Sequence, residues 1–101
     1  MAQFDVFKNA RGGPYPYLLD VQSDSLASLP SRVVVPLIAL KNYPKPVARL
    51  HPRVRIAAVE YVLKFHDLVA VPANALGAQV TSLVHRRDEL IAAIDLLFTG
   101  V

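Results

Sequence analysis

The sequence contains no cysteine and no tryptophan. Without cysteine the chain cannot form disulfide bonds or thiolate metal sites, and it has no cysteine nucleophile. A cysteine-free composition also suits a reducing compartment. No apolar run follows a basic flank at the N-terminus, because Asp5, Lys8 and Arg11 interrupt it, so no secretory signal is expected. These features predict a cytoplasmic protein.

Long apolar runs and a strong excess of charge are also absent. The longest apolar run covers residues 33–40, whereas a membrane-spanning helix needs about 20 apolar residues. Eleven Lys and Arg against eight Asp and Glu give a formal net charge of +3. This mild excess permits an anionic partner without implying one. We expect neither membrane insertion nor sequence-specific binding to nucleic acid.

Hydrophobic residues are abundant in this short chain. They make up 53% of the 101 residues, and the mean hydropathy is +0.35. Because a small domain leaves much of its surface in water, this composition indicates apolar surface that another molecule covers. The length allows one domain and one core, so we predict a single domain over residues 1–101 that forms a homodimer.

The first half of the chain has the pattern of β-strands. Phe4 and Val6 alternate with Gln3 and Asp5, and with the more ambiguous Phe7, which predicts a half-buried strand with Phe4 and Val6 facing the core. The Gly-Gly-Pro sequence at 12–14 marks a turn, and residues 15–22 alternate again, which completes a hairpin. Residues 32–38 are apolar on both faces and predict a fully buried strand, with Pro36 at a bend, bulge or edge. The remaining predicted elements are the connections 23–31 and 41–52 and the strand pair 54–56 and 59–65.

The last quarter of the chain changes to helical spacing. Apolar residues recur every three or four positions from 83 to 98, which predicts one amphipathic helix with Ala93 on its polar side. Ser82 is the predicted N-cap and Gly100 the predicted C-cap. Gly77 is predicted to lie in a turn.

These elements together predict a mainly β fold with one C-terminal α-helix. About five short strands, joined by proline-rich connections, favour a small barrel of SH3-like size. A ferredoxin-like α+β sandwich is less favoured, because it requires two crossover helices and the sequence offers one.

The sequence gives little support for an enzyme. No two of His51, His66 and His85 are three or four residues apart, so no local metal-binding pair exists, and we predict no metal and no cofactor. Neither a G-x-S-x-G elbow nor a phosphate-binding glycine loop is present, so no catalytic residue is assigned. One enzymatic alternative remains, a ribonuclease in which Arg53 and Arg55 neutralise a phosphate while His51 or His66 transfers a proton.

The C-terminus is unusual because it is apolar to its end. Chain termini are normally polar and frayed, yet residues 96–98 are Leu-Leu-Phe and the last residue is Val101. Such an end must either pack beneath the barrel or contact a partner.

Several segments, in order and along nearly the whole chain, resemble the CcdB family, the toxin half of the CcdA–CcdB toxin–antitoxin pair. These segments are Leu19-Asp20-Val21-Gln22-Ser23-Asp24, Arg32-Val33-Val34-Val35-Pro36-Leu37, Pro52 with Val54-Arg55-Ile56, Val71-Pro72 with Leu76-Gly77, His85-Arg86, and Ala93-Ile94-Asp95-Leu96-Leu97-Phe98-Thr99-Gly100-Val101.

The resemblance implies a homodimeric barrel with a C-terminal helix, a fold shared with the MazF-type ribonuclease toxins. It also implies a type II toxin without enzymatic activity that binds the A subunit of DNA gyrase and traps gyrase on cleaved DNA. A largely disordered, CcdA-like antitoxin would neutralise it. Two other functions stay open: a CcdB-like protein with a shifted target or only an antitoxin-binding decoy role, and a MazF-like endoribonuclease.

The resemblance also implies two sets of site residues. Antitoxin binding is expected at the first hairpin loop, through Lys8 and Arg11. Where family members carry a tryptophan that stacks on an arginine of gyrase, this chain has threonine, and three further positions also depart from the family. The implied gyrase-binding residues are Phe98, Thr99, Gly100, Val101, Asp95, Ser25 and Leu26.

Overall fold

The computed structural model describes residues 2–101, which form seven antiparallel strands and one α-helix. The elements are β1 (Asp5–Asn9), β2 (Tyr17–Asp20), β3 (Ser31–Ala39), β4 (Arg53–Ile56), β5 (Val59–Leu63), β6 (Val69–Pro72), β7 (Leu76–Ser82) and α1 (Arg87–Thr99).

The strands form one curled sheet in the order β4-β5-β3-β2-β1-β7. The central strand β3 pairs with β2 along one edge, and its other edge is shared between β6 and β5. The sheet wraps around the main core as a half-barrel, and α1 packs against that core through Leu90 and Ala93. This architecture confirms the predicted mainly β class with one C-terminal helix and is consistent with the CcdB fold.

The predicted number of strands was too low, because β6 and β7 were not recognised. The first of them is only four residues long and ends at Pro72. The second contains Gly77, which the sequence pattern assigned to a turn. In the structure a Cβ at Gly77 would lie 3.1 Å from the Lys8 carbonyl oxygen, so glycine allows β7 to approach β1 closely.

Pro36 lies inside the central strand and not at an edge of the sheet. It is paired with Leu18 of β2, and its carbonyl oxygen accepts a hydrogen bond from the Lys64 N–H at 3.0 Å. The pairing of β3 with β6 ends at Val34, and the pairing with β5 begins at Leu37. The missing N–H of proline therefore falls in the gap between two partner strands, where no ladder hydrogen bond is lost.

The first two strands are buried on both faces, so the prediction of a half-buried first strand is wrong. Val6 and Leu19 belong to the main core beneath α1. Phe7 and Leu18 point the other way, into a second apolar cluster that also contains Val34 and Leu76.

The helix begins four residues later than predicted, at Arg87. Leu83 is buried, and its N–H donates to the Phe4 carbonyl oxygen at 2.7 Å, which holds the chain against β1. The prediction of Ser82 as N-cap is wrong: its hydroxyl oxygen accepts the Val84 N–H at 3.3 Å, before α1, and no side chain caps α1 itself. Ala93, predicted on the polar side, is fully buried, whereas the predicted C-cap is confirmed, with Gly100 in the left-handed region at φ 78°.

Candidate functional site

The last turns of α1 and the 3-10 turn Asp24–Leu26 border an apolar groove of about 500 Å³, here called the C-terminal groove. Its apolar lining includes Val33 of β3 and Val21, which directly follows β2. Its lining residues are Val21, Gln22, Ser23, Leu26, Leu29, Ser31, Val33, Leu68, Ile94 and Phe98.

Three of the apolar side chains that line this groove are largely exposed to solvent. Phe98 is 67% exposed and both Leu26 and Leu29 are 47% exposed, whereas Val101, which follows α1 outside the lining, is 79% exposed. A fully exposed large apolar group loses the roughly 1.5–3 kcal/mol that its burial would contribute. Exposed apolar residues clustered in this way mark a surface that another molecule covers.

The helix end fixes the direction of the last residues. The N–H of Gly100 donates to the Leu96 carbonyl oxygen at 3.1 Å, which ends α1 and leaves Val101 free of it. The Thr99 hydroxyl donates to the Asp95 carbonyl oxygen at 2.7 Å. Because this hydroxyl is used within the helix, Thr99 offers a partner mainly its methyl group.

The predicted gyrase-binding residues lie on two neighbouring elements. Leu26 and Phe98 line the same groove, whereas Ser25 is exposed on the turn and its hydroxyl oxygen lies 2.8 Å from that of Ser23. Asp95 is exposed one helical turn before Thr99. The structure therefore brings Leu26 and Phe98 together and leaves Ser25 and Asp95 outside the groove.

Beneath the turn lies a buried ion pair that the sequence interpretation did not assign. Asp20 and Arg32 are 0% and 2% exposed, and the Arg32 Nε and Nη2 atoms donate to Asp20 Oδ2 at 3.1 and 2.5 Å. The sequence did offer a signal for this pair: each of two mainly apolar segments contains one charged residue, and a buried charge needs a partner. This pair anchors the chain on both sides of residues 23–31.

The predicted antitoxin residues lie on and beside the first hairpin loop. The Asn9 side chain organises this loop by donating to the carbonyl oxygens of Gly12 and Tyr15, at 3.0 and 2.9 Å. Arg11 is exposed and lines a cleft with Tyr15, His66 and Asp67, whereas Lys8 is exposed on β1 outside that cleft.

Two histidines far apart in sequence form a hydrogen-bonded pair. His51 is 4% exposed, its Nδ1 accepts the Val47 N–H at 2.8 Å, and its Nε2 lies 2.7 Å from Nδ1 of His66. Because a backbone N–H can only donate, the proton of His51 must sit on Nε2 and be donated to His66. Protonating His51 on Nδ1 would place its N–H face to face with the Val47 N–H.

Charged groups surround the histidine pair. Lys64 Nζ lies 2.7 Å from Asp67 Oδ2 and donates to the Tyr15 hydroxyl at 3.1 Å. Hydrogen bonding to Asp67 raises the pKa of Lys64, and the same hydrogen bond lowers the pKa of Asp67. The ring of Tyr43 packs edge-on against His51.

The histidine pair predicts acid sensitivity. Burial, then His66 and Lys64, lower the pKa of His51 below 6.5, with Asp67 opposing them. A histidine with a lowered folded-state pKa stabilises the fold fully above pH 6.5 and less as the pH falls. We expect the unfolding free energy to decrease from about pH 8 to about pH 5, and His51→Phe to reduce this decrease. Guanidinium unfolding of the wild type and the variant at both pH values measures this difference in unfolding free energy. An equal pH dependence in the two proteins would contradict the role of His51.

The ribonuclease alternative required two arginines to converge with a histidine. Arg53 and Arg55 are exposed on β4, and Arg55 Nη2 donates to Glu60 at 3.2 Å. His51 is buried and both of its ring nitrogens are hydrogen bonded, and the cleft that His66 lines contains neither Arg53 nor Arg55. The geometry gives no support to this alternative.

Across residues 2–101, no group of three or more His, Cys, Asp or Glu side chains is arranged to hold a metal ion. Within the same described residues, no helix is both long and apolar enough to cross a membrane.

Comparison with known families gives one assignment that covers almost the whole chain. The family model described as "CcdB protein" matches residues 3–100. That range includes both elements that border the C-terminal groove and the first hairpin loop. The chain belongs to the CcdB family, whose members are toxins of the CcdAB toxin–antitoxin system and are not themselves enzymes.

Proposed function

We propose that this protein, as a single toxin domain in the cytoplasm, binds the A subunit of DNA gyrase through the end of α1 and traps gyrase on cleaved DNA. The contact residues would be Phe98, Thr99, Gly100 and Val101, with Asp95, Ser25 and Leu26 beside them.

One observation carries this proposal: the apolar C-terminus is exposed and not docked beneath the barrel. Phe98 borders the C-terminal groove with two thirds of its surface in water, and Val101 is still more exposed. Phe98 and Val101 would supply apolar contact area, and Gly100, which has no side chain, would let the partner approach the backbone closely.

The proposal includes a homodimer. A two-fold dimer would place two helix ends in symmetric positions, which suits a two-fold symmetric target such as the gyrase A dimer. The large fraction of hydrophobic residues supports burial of further apolar surface between two copies.

A DNA-cleavage assay tests the poisoning step. Purified gyrase and supercoiled plasmid are incubated with the protein, denatured, and analysed for linear DNA. We expect linear DNA to accumulate with the wild-type protein and to require about tenfold more of Phe98→Ala. Val84→Ala is the matched control, since Val84 is a similarly exposed apolar residue before α1. No linear DNA with the folded wild-type protein would contradict the proposal.

We also propose that Lys8 and Arg11 meet acidic residues of a disordered, CcdA-like antitoxin. Both side chains are exposed at the first hairpin. Replacing both with glutamate should weaken antitoxin binding at least tenfold at low salt, and added salt should shrink the difference because it screens surface charges. Lys45→Glu, at another exposed lysine, is the control. Equal affinities of the double variant and the wild type in calorimetry would contradict this contact.

A second candidate is a toxin with a shifted target or a decoy that only binds antitoxin. Thr99 favours it, because threonine offers no aromatic face and its hydroxyl already serves the helix. The Thr99→Trp experiment discussed below separates the two.

A further inference from the structure

We propose that Gln22 is a positioning residue, which holds the turn Asp24–Leu26 in place as one wall of the C-terminal groove. The effect on partner binding rests on the proposed function, whereas the effect on the turn does not.

The Gln22 side chain connects the turn to the sheet. It is 7% exposed, its Oε1 accepts the Val33 N–H at 3.0 Å, and its Nε2 donates to the Leu26 carbonyl oxygen at 3.0 Å. Because Val33 offers a donor and Leu26 an acceptor, only one orientation of the amide satisfies both. The side chain is therefore a two-ended link between β3 and the turn.

The buried ion pair fixes the base of this link. Asp20 accepts the Gln22 backbone N–H through Oδ1 at 3.0 Å while its other oxygen binds Arg32. The last residue of β2 is thus joined both to the start of β3 and to the Gln22 backbone, which fixes the position from which the Gln22 side chain extends.

The turn has little else to hold it. It contains no buried residue, and three backbone hydrogen bonds shape it locally, from the N–H groups of Leu26, Ala27 and Leu29. Apart from the Gln22 link, the turn is tied to the rest of the protein by the Asp24 carboxylate, which accepts the Gln3 N–H at 2.7 Å. This contact is exposed, so water competes for it. The buried Gln22 link therefore decides where the turn sits relative to α1.

The position of the turn matters because Leu26 and Phe98 belong to different elements. A partner that contacts both binds more tightly when their spacing is already set, since it does not have to order the turn. Gln22 thus contributes to binding without touching the partner.

Gln22→Glu isolates the contact with the turn. At neutral pH the carboxylate still accepts the Val33 N–H but cannot donate to the Leu26 carbonyl oxygen. Protonation at lower pH restores a donor of nearly the same shape. Gln79→Glu, at an exposed glutamine on β7, is the matched control for the added charge.

Hydrogen exchange of the turn provides the first readout. We expect the amides of Leu26, Ala27 and Leu29 to lose about tenfold in protection in Gln22→Glu near pH 7, and to recover part of it near pH 5. The Val21 amide, which donates to the Val33 carbonyl oxygen, should stay protected. Unchanged turn amides would overturn the proposal, and so would equal loss at Val21, which would show a general structural role.

Titration against the N-terminal fragment of gyrase A provides the second readout. We expect Kd to rise about tenfold for Gln22→Glu and to remain unchanged for Gln79→Glu. If the wild-type protein does not bind, the proposed function fails, and the exchange experiment alone decides the role of Gln22. If Gln22→Glu does not fold, Gln22→Met, which is neutral and similar in length, replaces it in both measurements. Wild-type affinity in a variant with a loosened turn would overturn the effect on binding.

Discussion

Replacing Arg32 with methionine is expected to lower the free energy of unfolding by about 3–5 kcal/mol. The substitution leaves the Asp20 carboxylate fully buried without its ion-pair partner, and a buried unpaired charge is strongly unfavourable. Since a small domain is stable by about 5–15 kcal/mol, the change removes a large part of the total.

Guanidinium unfolding measures this effect. Arg53→Met makes the same chemical change at an exposed site on β4 and should cost less than about 0.5 kcal/mol. Adding Asp20→Asn to Arg32→Met should restore part of the loss, because asparagine removes the charge and still accepts the Gln22 N–H. A loss below about 1 kcal/mol in Arg32→Met would show that the buried Asp20 carboxylate does not depend on Arg32.

Thr99→Trp is expected to raise affinity for gyrase A about tenfold or more. An arginine stacked on tryptophan contributes about 2 kcal/mol when water is excluded, and about 1.4 kcal/mol corresponds to a factor of ten in Kd. Thr99 is exposed, so an indole fits there without displacing a neighbour. The hydroxyl contact with Asp95 is exposed too, so its loss should cost little stability.

Val84→Trp is the matched control for Thr99→Trp. It adds the same ring at an exposed position before α1 and should leave the affinity unchanged. If Thr99→Trp also leaves the affinity unchanged, the lack of an aromatic ring at position 99 does not limit binding to gyrase A. The shifted-target explanation would then lose its main support.

Local patterns predicted those parts of the fold that local interactions determine. The alternation at β1 and β2, the apolar run of β3 and the cap at Gly100 each depend on residues close in sequence. The mainly β class with one C-terminal helix follows from these elements.

Features that depend on distant residues could not be predicted in the same way. The helix start depends on the hydrogen bond from Leu83 to Phe4, almost the full chain apart. Gly77 was assigned to a turn because nothing in its sequence neighbourhood shows that Lys8 lies against it. Burial of Ala93 likewise depends on which side of the helix the sheet covers.

The candidate site was predicted only in part for the same reason. The apolar helix end allowed two outcomes, packing beneath the barrel or contact with a partner, and the structure was needed to show that Phe98 and Val101 are exposed. The contact of Gln22 with Val33 and the pairing of His51 with His66 required the folded chain, because each joins polar atoms that only the fold brings together.

Calorimetric titration of the purified protein into the N-terminal fragment of gyrase A tests whether the end of α1 binds gyrase. We expect submicromolar binding by the wild-type protein and loss of binding when Thr99, Gly100 and Val101 are removed. The shortened protein should unfold at nearly the same denaturant concentration, because these three residues are exposed. Absence of binding by the folded wild-type protein, or full binding by the shortened one, would contradict the assignment of the helix end as the gyrase-binding site.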